Sequence, residues 1–438
     1  MTIRKILILL FFPVSLQAQV KSGPWIGNIG LRTASLWMEP LAGTDSVVVR
    51  YFPLGKKENS RSVSVIIIPG NEFNPSRIDL TGLEPATEYR FEADLHSSKR
   101  RFSYNGSFTT KELWQYRKPA PDIVFLAGSC SYFNEPEYDR PGKPYGGDST
   151  IFLAMAKEKA DFNLWLGDSW YYREVDFTPW GMYYRASLDR SRPVLQPLLK
   201  KMPQYFLWDD HDYGPNNAGM DYIYKNESRK VFMDYTLNPS YGQSGEGVYT
   251  RISESDVDLF LLDGRWFRSH QSSRDSAGKT FLGKVQMQWL KNSLLDSRAT
   301  FKVIVSGSQV LNPVSSQDCM RHYETEFNEL MDFLESQRIQ GVIFLSGDRH
   351  HSEIMKRDGL YTYYDITVSP LTSGVSSARP EDTDNPARVG PQIKQHNYAR
   401  VSVYGPAGKR KMKFEFLDVK GNLIHSWEVS QEALKAGR

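Results

Sequence analysis

The hydropathy pattern of the chain changes once. Between about residues 24 and 112 it runs in short alternating stretches: "TASLWMEP", "SVVVRYFP", "SVSVIII", "EYRFEADL" and "FSYNGSFTT". Runs rich in β-branched and aromatic residues, set between turn residues, predict an all-β unit. From residue 122 the strand-like runs become continuously apolar and alternate with helical patterns. "DIVFLAG", "FNLWLG", "QYFLW", "VDLFLLD", "FKVIVSG" and "GVIFLSG" predict interior strands. "STIFLAMAKEKA", "RPVLQPLLKKM", "ESRKVFMDYT", "KVQMQWLKNSLLDS" and "YETEFNELMDFLESQR" predict the helices between them. In the last of these, Phe327, Leu330, Met331 and Leu334 share one face. The tail is strand-like again: "YTYYDITVS", "ARVSVYG" and "MKFEFLDVKGNLIHSWEVS", the last a hairpin about Lys420, Gly421 and Asn422. Residues 374–397 are polar and Pro-rich and predict a long loop. The expected architecture is an all-β domain followed by an α/β layered domain.

"LTGLEPATEYRFEADL" resembles the E-to-F region of a fibronectin type III sandwich, on Leu83, Pro85, Thr87 and Tyr89. "KELWQYRKPAPD" is a polar, Pro-bearing linker. The expected division is a β-sandwich at 20–116 and a catalytic domain at 117–438. Ahead of both, Arg4 and Lys5 precede an apolar run, Ile6 to Pro13, and "SLQAQ" offers a cut after Ala18 or Gln19. That pattern predicts a bacterial signal peptide at 1–19 and a periplasmic or secreted protein. The run is too short to span a bilayer, and no later stretch is long and apolar enough to do so.

Composition narrows the function. The 438 residues are 40% apolar and 24% charged, which suits a globular protein of about two domains. Loss of Arg4 and Lys5 with the leader takes the net charge from +3 to +1. That leaves no electrostatic footprint for nucleic acid. An exported chain can form disulfides, and Cys130 and Cys319 are the two cysteines available.

The interior strands end unusually. "VFLAGSC" ends in Cys130, "NLWLGDSWYY" in Asp168 and Tyr171, "YFLWDDHD" in Asp209, Asp210 and His211, and "VIFLSGDRHH" in Asp348 and His350. In α/β sheets, ligands gather outside the carboxyl ends of strands. Taken singly, each ending has a structural explanation: a buried thiol, a helix cap, a solvated loop, a core histidine. Together they predict a metal centre. Carboxylates and a phenolate are hard donors suited to iron(III), calcium, magnesium or manganese. A shared carboxylate can bridge two metals that hold a phosphate ester.

"GDSWY", "WDDHDYGPNN" and "GDRHH" resemble the signature of calcineurin-like metallophosphoesterases, and more closely that of their alkaline phosphatase D (PhoD-like) branch. That branch writes the second motif as Asp-Asp-His-Asp/Glu and the third as Gly-Asp-x-His. It also places a Cys after the first strand and a Tyr three residues after the bridging Asp. All four features are present, and the leading β-sandwich also resembles that branch. The resemblance implies a metallophosphoesterase sandwich of mixed sheets flanked by helices, behind a fibronectin III/Ig-like domain. It implies iron(III) held by Cys130, Asp168, Tyr171 and His350. One or two calcium ions would share Asp168 and take Asp210 and Asp348. His211 would be the catalytic histidine. A metal-bound Cys130 is incompatible with a Cys130–Cys319 disulfide.

Some positions depart from the pattern. The superfamily's fourth motif, Gly-His, finds "VIVSGSQV", where Ser306, Ser308 and Gln309 offer no histidine. Asn216 and Asn217 are calcium ligands, phosphate contacts or a structural turn. Arg265, in "LLDGRWF", is a phosphate clamp or half of a structural salt bridge. His351 is a substrate contact or, more in keeping with its place, a residue that orients the site from behind. Trp170, Tyr171, Tyr172, Trp180, Tyr183 and Tyr184 line the entrance or fill the core. The expected function is exported hydrolysis of phosphate monoesters, diesters or both, on small-molecule or polymer substrates, by metal-activated hydroxide. The rivals are a dedicated phosphodiesterase or phospholipase-like enzyme on the same site, and a calcium-dependent binding protein. Calcium binding alone needs neither Cys130 nor Tyr171.

Overall fold

Continuously apolar strands need cover on both faces, and two six-stranded sheets give half of it to each other. The computed structural model describes residues 20–68, 70–97, 101–274, 278–315, 317–376 and 384–436. The predicted leader lies outside these residues, as does part of the predicted loop at 374–397.

Seven strands form the N-terminal sandwich: β1 (Val20–Gly27), β2 (Thr33–Pro40), β3 (Ser46–Pro53), β4 (Arg61–Ile66), β5 (Ser76–Thr81), β6 (Glu88–His96) and β7 (Arg101–Thr109). They pair as β1-β2-β5 against β4-β3-β6-β7, an Ig/fibronectin III-like arrangement. The strands that follow are β8 (Ile123–Gly128), β9 (Phe162–Leu166), β10 (Gln204–Leu207), β11 (Thr250–Glu254), β12 (Val257–Leu261) and β13 (Phe301–Ser306). Then come β14 (Val342–Ser346), β15 (Glu353–Asp358), β16 (Thr362–Thr367), β17 (Asn397–Tyr404), β18 (Lys411–Asp418) and β19 (Leu423–Ser430). One mixed sheet runs β10-β9-β8-β17-β18-β19 and the other β11-β12-β13-β14-β16-β15. The β8, β9 and β10 strands are parallel neighbours, as are β12, β13, β14 and β16. Phe125, Ala127, Leu164, Leu166 and Leu207 of one sheet meet Leu259, Val303, Val305, Ile343 and Leu345 of the other.

Helices cover the outer faces: α1 (Ile151–Met155), α2 (Pro179–Ser191), α3 (Gln196–Lys201), α4 (Asp210–Tyr213), α5 (Lys225–Asp234), α6 (Gly283–Asp296) and α7 (Glu324–Ser336). The α6 and α7 helices pack on Phe260, Ile304 and Phe344. The helix expected over 149–160 stops at Met155. Beyond it, Glu158 turns to Tyr398 and Arg400, which hold both its carboxylate oxygens. The α2 helix, which the periodicity did not mark, starts on Thr178, whose side chain accepts from Gly181 N at 3.0 Å, with Pro179 next.

The two domains share a core. In β2, Leu36 and Met38 point into the sandwich while Trp37 points the other way. Trp25 and Trp37 pack at a tilt, with ring centroids 5.2 Å apart, and continue into Phe206, Tyr235 and Trp165 of the second domain. Trp37 donates its indole N–H to Asp234 O at 2.7 Å, and Tyr235 and Ser187 both donate to the buried Glu39. The sandwich is therefore a wall of the catalytic domain's own core. Trp37→Ala is expected to cost about 3–5 kcal/mol. Urea unfolding followed by fluorescence and circular dichroism should show one shifted transition. Two transitions, with the second at its wild-type midpoint, would refute the shared core.

Candidate active site

Parallel strands end where their neighbours end, so whatever follows the last paired residues of the two packed sheets collects along one common edge of the pair. Cys130 lies two residues beyond β8, Asp168 two beyond β9, Asp209 and Asp210 just beyond β10, and Asp348 two beyond β14. The chain must turn sharply there to keep these side chains at the edge. Cys130, Asp168, Asp348 and His350 all adopt left-handed backbone, with φ of 62°, 53°, 65° and 57°. Such conformations cost non-glycine residues on the order of 1–3 kcal/mol each and gather at functional sites. The glycine of each Gly-Asp pair permits close approach. A Cβ on Gly167, itself at φ +93°, would lie 2.7 Å from Asp209 Cβ, and one on Gly347 would lie 2.5 Å from Leu166 O.

The edge opens into a cavity of about 800 Å³. Asp168, Asp210, His211, Asp348, His350 and Asn217 all line it. Ligand atoms of Asp168, Asp210 and His211 lie within 4.8 Å of one another, as do those of Asp209, Asp210 and Asp348. On the other side of Asp168, its Oδ2 accepts from Tyr171 OH at 3.1 Å and sits 3.7 Å from Cys130 Sγ. Tyr171 stacks on the His211 ring with centroids 4.2 Å apart. His350 meets Tyr145 OH at 3.2 Å through Nδ1, and Tyr145 packs edge-on against Tyr132, which packs likewise against Tyr171.

The electrostatics suit a bound cation. Burial, then the charges of Asp210 and Asp209, push the Asp168 carboxyl well above its usual range. Burial and then Asp209 do the same to Asp348. Burial and then Asp168 push up both the Cys130 thiol and the Tyr171 phenol. Burial lowers His211, and lowers His350 to about 4. Asp210 runs against burial: Arg265, His211 and the Asn217 N–H together hold its carboxyl below the usual range. Asp209 Oδ2 and Asp210 Oδ1 are buried without a hydrogen-bond donor. Orphaned carboxylate oxygens among groups driven to hold protons are what a bound metal ion would relieve. The donor set therefore fits metals.

The sequence model of the PhoD-like phosphatase family matches residues 125–423. The chain belongs to that family. It is similar to alkaline phosphatase D of Bacillus subtilis (strain 168), at 24% identity over 390 residues. That match takes in 74% of this chain and 64% of the relative's length. Its fold is that of a solved structure of PhoD, with a TM-score of 0.75 at 18% identity, over 95% of this chain and 90% of the other.

Two expectations for this PhoD-like site need correction, and a third question, the place of the aromatics, is answered by the core alternative. Arg265 does not reach the cavity as a phosphate clamp. It is fully buried, with Nε 2.6 Å from Asp209 Oδ1 and Nη2 2.9 Å from Asp318 Oδ2 and 3.7 Å from Asp210 Oδ1. Three carboxylates hold its guanidinium behind the site, which is the salt-bridge alternative. His351 is not a substrate contact: it is 2% exposed and its Nε2 lies 3.0 Å from Glu353 Oε1. The aromatics after Asp168 do not line the entrance. Trp170 and Tyr172 are core, while Trp180 and Tyr183 pack on Phe73 of the sandwich. Tyr145 takes that place instead, from a Pro- and Gly-rich loop with no periodicity to mark it.

Asp318 is the other residue that sequence reasoning missed. It lines the cavity and pairs with both Arg265 and Arg268, the latter at 2.8 Å. A bridge between Gln309 and Cys319 brings it beside the end of β13, where the fourth motif's histidine is absent. Its one signal was that unfilled strand end. Cys130 and Cys319 are both free thiols. Asn217 lines the cavity at φ 60° and gives its backbone N–H to Asp210 Oδ2 at 2.8 Å.

Arg265→Met should destabilise the protein by about 3–5 kcal/mol, because it strands buried carboxylates. Chemical denaturation reads this directly. A phosphate clamp would behave oppositely, with unchanged stability and a raised KM.

Proposed function

We propose that this protein is an exported, metal-dependent phosphoesterase that hydrolyses phosphate monoesters, diesters or both, in the manner of alkaline phosphatase D. The observation that carries the reading is the position of Asp168. Its Oδ2 meets Cys130 and Tyr171, its Oδ1 takes the His211 backbone N–H, and a ligand atom of the same carboxylate lies within 4.8 Å of those of Asp210 and His211. A single carboxylate between a sulfur- and phenol-bearing donor set and a carboxylate set is arranged to be shared by two unlike metals. Iron(III) would take Cys130, Asp168, Tyr171 and His350; calcium would take Asp168, Asp210 and Asp348, with Asp209 beside them. Bound there, such metals neutralise the phosphate's charge and lower the pKa of water.

The chain's own residues do the rest. His211 lies in the cavity wall with its backbone N–H on Asp168 Oδ1 at 3.2 Å and its ring held flat by Tyr171. Burial lowers its pKa, so at alkaline pH the ring is neutral and presents one N–H to an ester or phosphate oxygen. Asn217, at the cavity wall, is positioned to contact a phosphate oxygen. The cavity, about 800 Å³, is far larger than a phosphate group and leaves room for the second substituent of a diester. A purely calcium-binding protein would have no use for a thiol and a phenol on its shared carboxylate. Arg4, Lys5 and the apolar run that follows support export to the periplasm or beyond.

The deciding experiment compares p-nitrophenyl phosphate with bis-p-nitrophenyl phosphate at alkaline pH, in protein purified without chelator and supplied with calcium. Turnover is expected, with a loss of at least about 100-fold in Asp168→Asn, since even partners behind the ligands cost 10–100-fold. The substrate ratio assigns mono- or diesterase character. No turnover in protein shown to contain iron and calcium would sink the reading. Mass spectrometry of the mature N-terminus should find cleavage after Ala18 or Gln19; an intact Met1 in the purified exported fraction would sink the export claim.

A further inference from the structure

The last residue of "WDDHD" has no part in the chemistry above. Asp212 is fully buried and does not line the cavity. It lies where two strand ends must be joined. Regular pairing of β9 with β10 stops at Leu166 and Leu207. Beyond that point no ladder fixes how far Asp168 sits from Asp210 and His211.

We propose that Asp212 is a positioning residue whose carboxylate clasps the Asp168 end of β9 to the Asp210–His211 end of β10. Its Oδ1 accepts the Asp209 N–H at 2.6 Å, on its own strand end. Its Oδ2 accepts both the N–H and the hydroxyl of Ser169, at 3.0 and 3.2 Å, on the other. Two further bonds cross the same gap: the His211 N–H donates to the Asp168 carboxylate Oδ1 at 3.2 Å, and the Tyr172 N–H to His211 O at 3.2 Å. Every partner of the Asp212 carboxylate is a donor, so both oxygens must accept. Two of these partners are backbone N–H groups, one on each oxygen, so an amide in its place would set a donor against one of them.

The anion has a counter-charge placed away from the cavity. Arg190 of α2 is fully buried and gives its Nη2 hydrogen to Ser169 Oγ at 3.2 Å. It forms no salt bridge among the described residues. Its guanidinium lies instead over Phe206, Trp170 and Trp165, at 4.4, 4.9 and 5.7 Å from the ring centroids. Burial pulls Arg190 down to about 10, and Asp212 is the first charge that opposes it. Ser169 is thus bracketed by one buried cation and one buried anion. The residue beside Asp168 is held from behind with no demand on the cavity side.

This inference rests on the phosphoesterase reading, and the test separates the two. Asp212→Asn keeps the shape but turns one acceptor into a donor facing donors. Ser169→Ala removes only the hydroxyl link. Both would be made in the full chain and assayed with p-nitrophenyl phosphate. Each would also be melted with excess chelator and with calcium. For Asp212→Asn, kcat is expected to fall about 10–100-fold with KM changed less than about threefold. The calcium-dependent rise in Tm should shrink as well. Ser169→Ala should move both readouts the same way by less. Wild-type kcat in Asp212→Asn would overturn the proposal. So would a Tm lowered equally with and without calcium, which marks a merely structural residue. If Asp212→Asn does not fold, Ser169→Ala decides by the same criteria. A wild-type protein with no turnover would defeat the phosphoesterase reading, while the calcium increment in Tm would still judge the clasp.

Discussion

Four buried carboxylates, Asp168, Asp209, Asp210 and Asp318, and the half-buried Asp348 meet where strand ends of the two sheets converge, and their mutual repulsion governs what surrounds them. Two like charges 4 Å apart cost about 4 kcal/mol at an effective dielectric of 20. Arg265 and Arg268 answer this repulsion from behind, through Asp209, Asp210 and Asp318. On the cavity side, Arg349 pulls Asp348 down and His211 helps hold Asp210 low, yet Asp168 and Asp348 stay pushed well above their usual range. The arginines thus decide which carboxylates are settled within the protein and which are left for an external cation. This is why Arg265 cannot also be a ligand for phosphate: its charge is already committed to holding the cluster together.

The backbone carries the same constraint. Parallel strands deliver the donors to one edge, but a strand that simply ran on would carry them past it. The left-handed turns at Cys130, Asp168 and Asp348 stop the chain where its neighbours stop. Glycines at 167 and 347 allow the ends to close over one another. Strain at these residues persists because the interleaved sheets, packed through Phe125, Leu164, Val303 and Ile343, leave the ends no other path.

Much of this was legible beforehand, for physical reasons. Runs such as "VIVSG" and "GVIFLSG" are apolar throughout because both faces are covered, so the interior strands and their polar endings could be read directly. The clustering of Asp168, Asp210, His211 and Asp348 then followed from topology. What stayed hidden depends on contacts across long sequence separations. Asp318 reaches the site through a bridge to Gln309, and Tyr145 through a loop with no regular period. Arg265 presented one face to sequence, a cation at a strand end; only its three carboxylate partners distinguish a brace from a clamp. The α2 helix escaped because its buried face carries charge, with Arg185, Asp189 and Arg190 inside beside Met182 and Ala186. The outward turn of Trp37 between Leu36 and Met38 is visible as alternation, but not what it packs against.

That tryptophan has a consequence for the modular look of the chain. The connection between the domains, around Leu113 to Lys118, is largely exposed and reads as a hinge between separable units. Yet Trp25 and Trp37 close the core that also holds Trp165 and Phe206, the outward faces of the strands that carry Asp168 and Asp210. A backbone cut in the connection would leave two pieces with every reason to stay together, as complementing fragments of one folding unit. A foreign sandwich grafted in its place would leave an aromatic surface open to water. The seam in the sequence is not a seam in the fold.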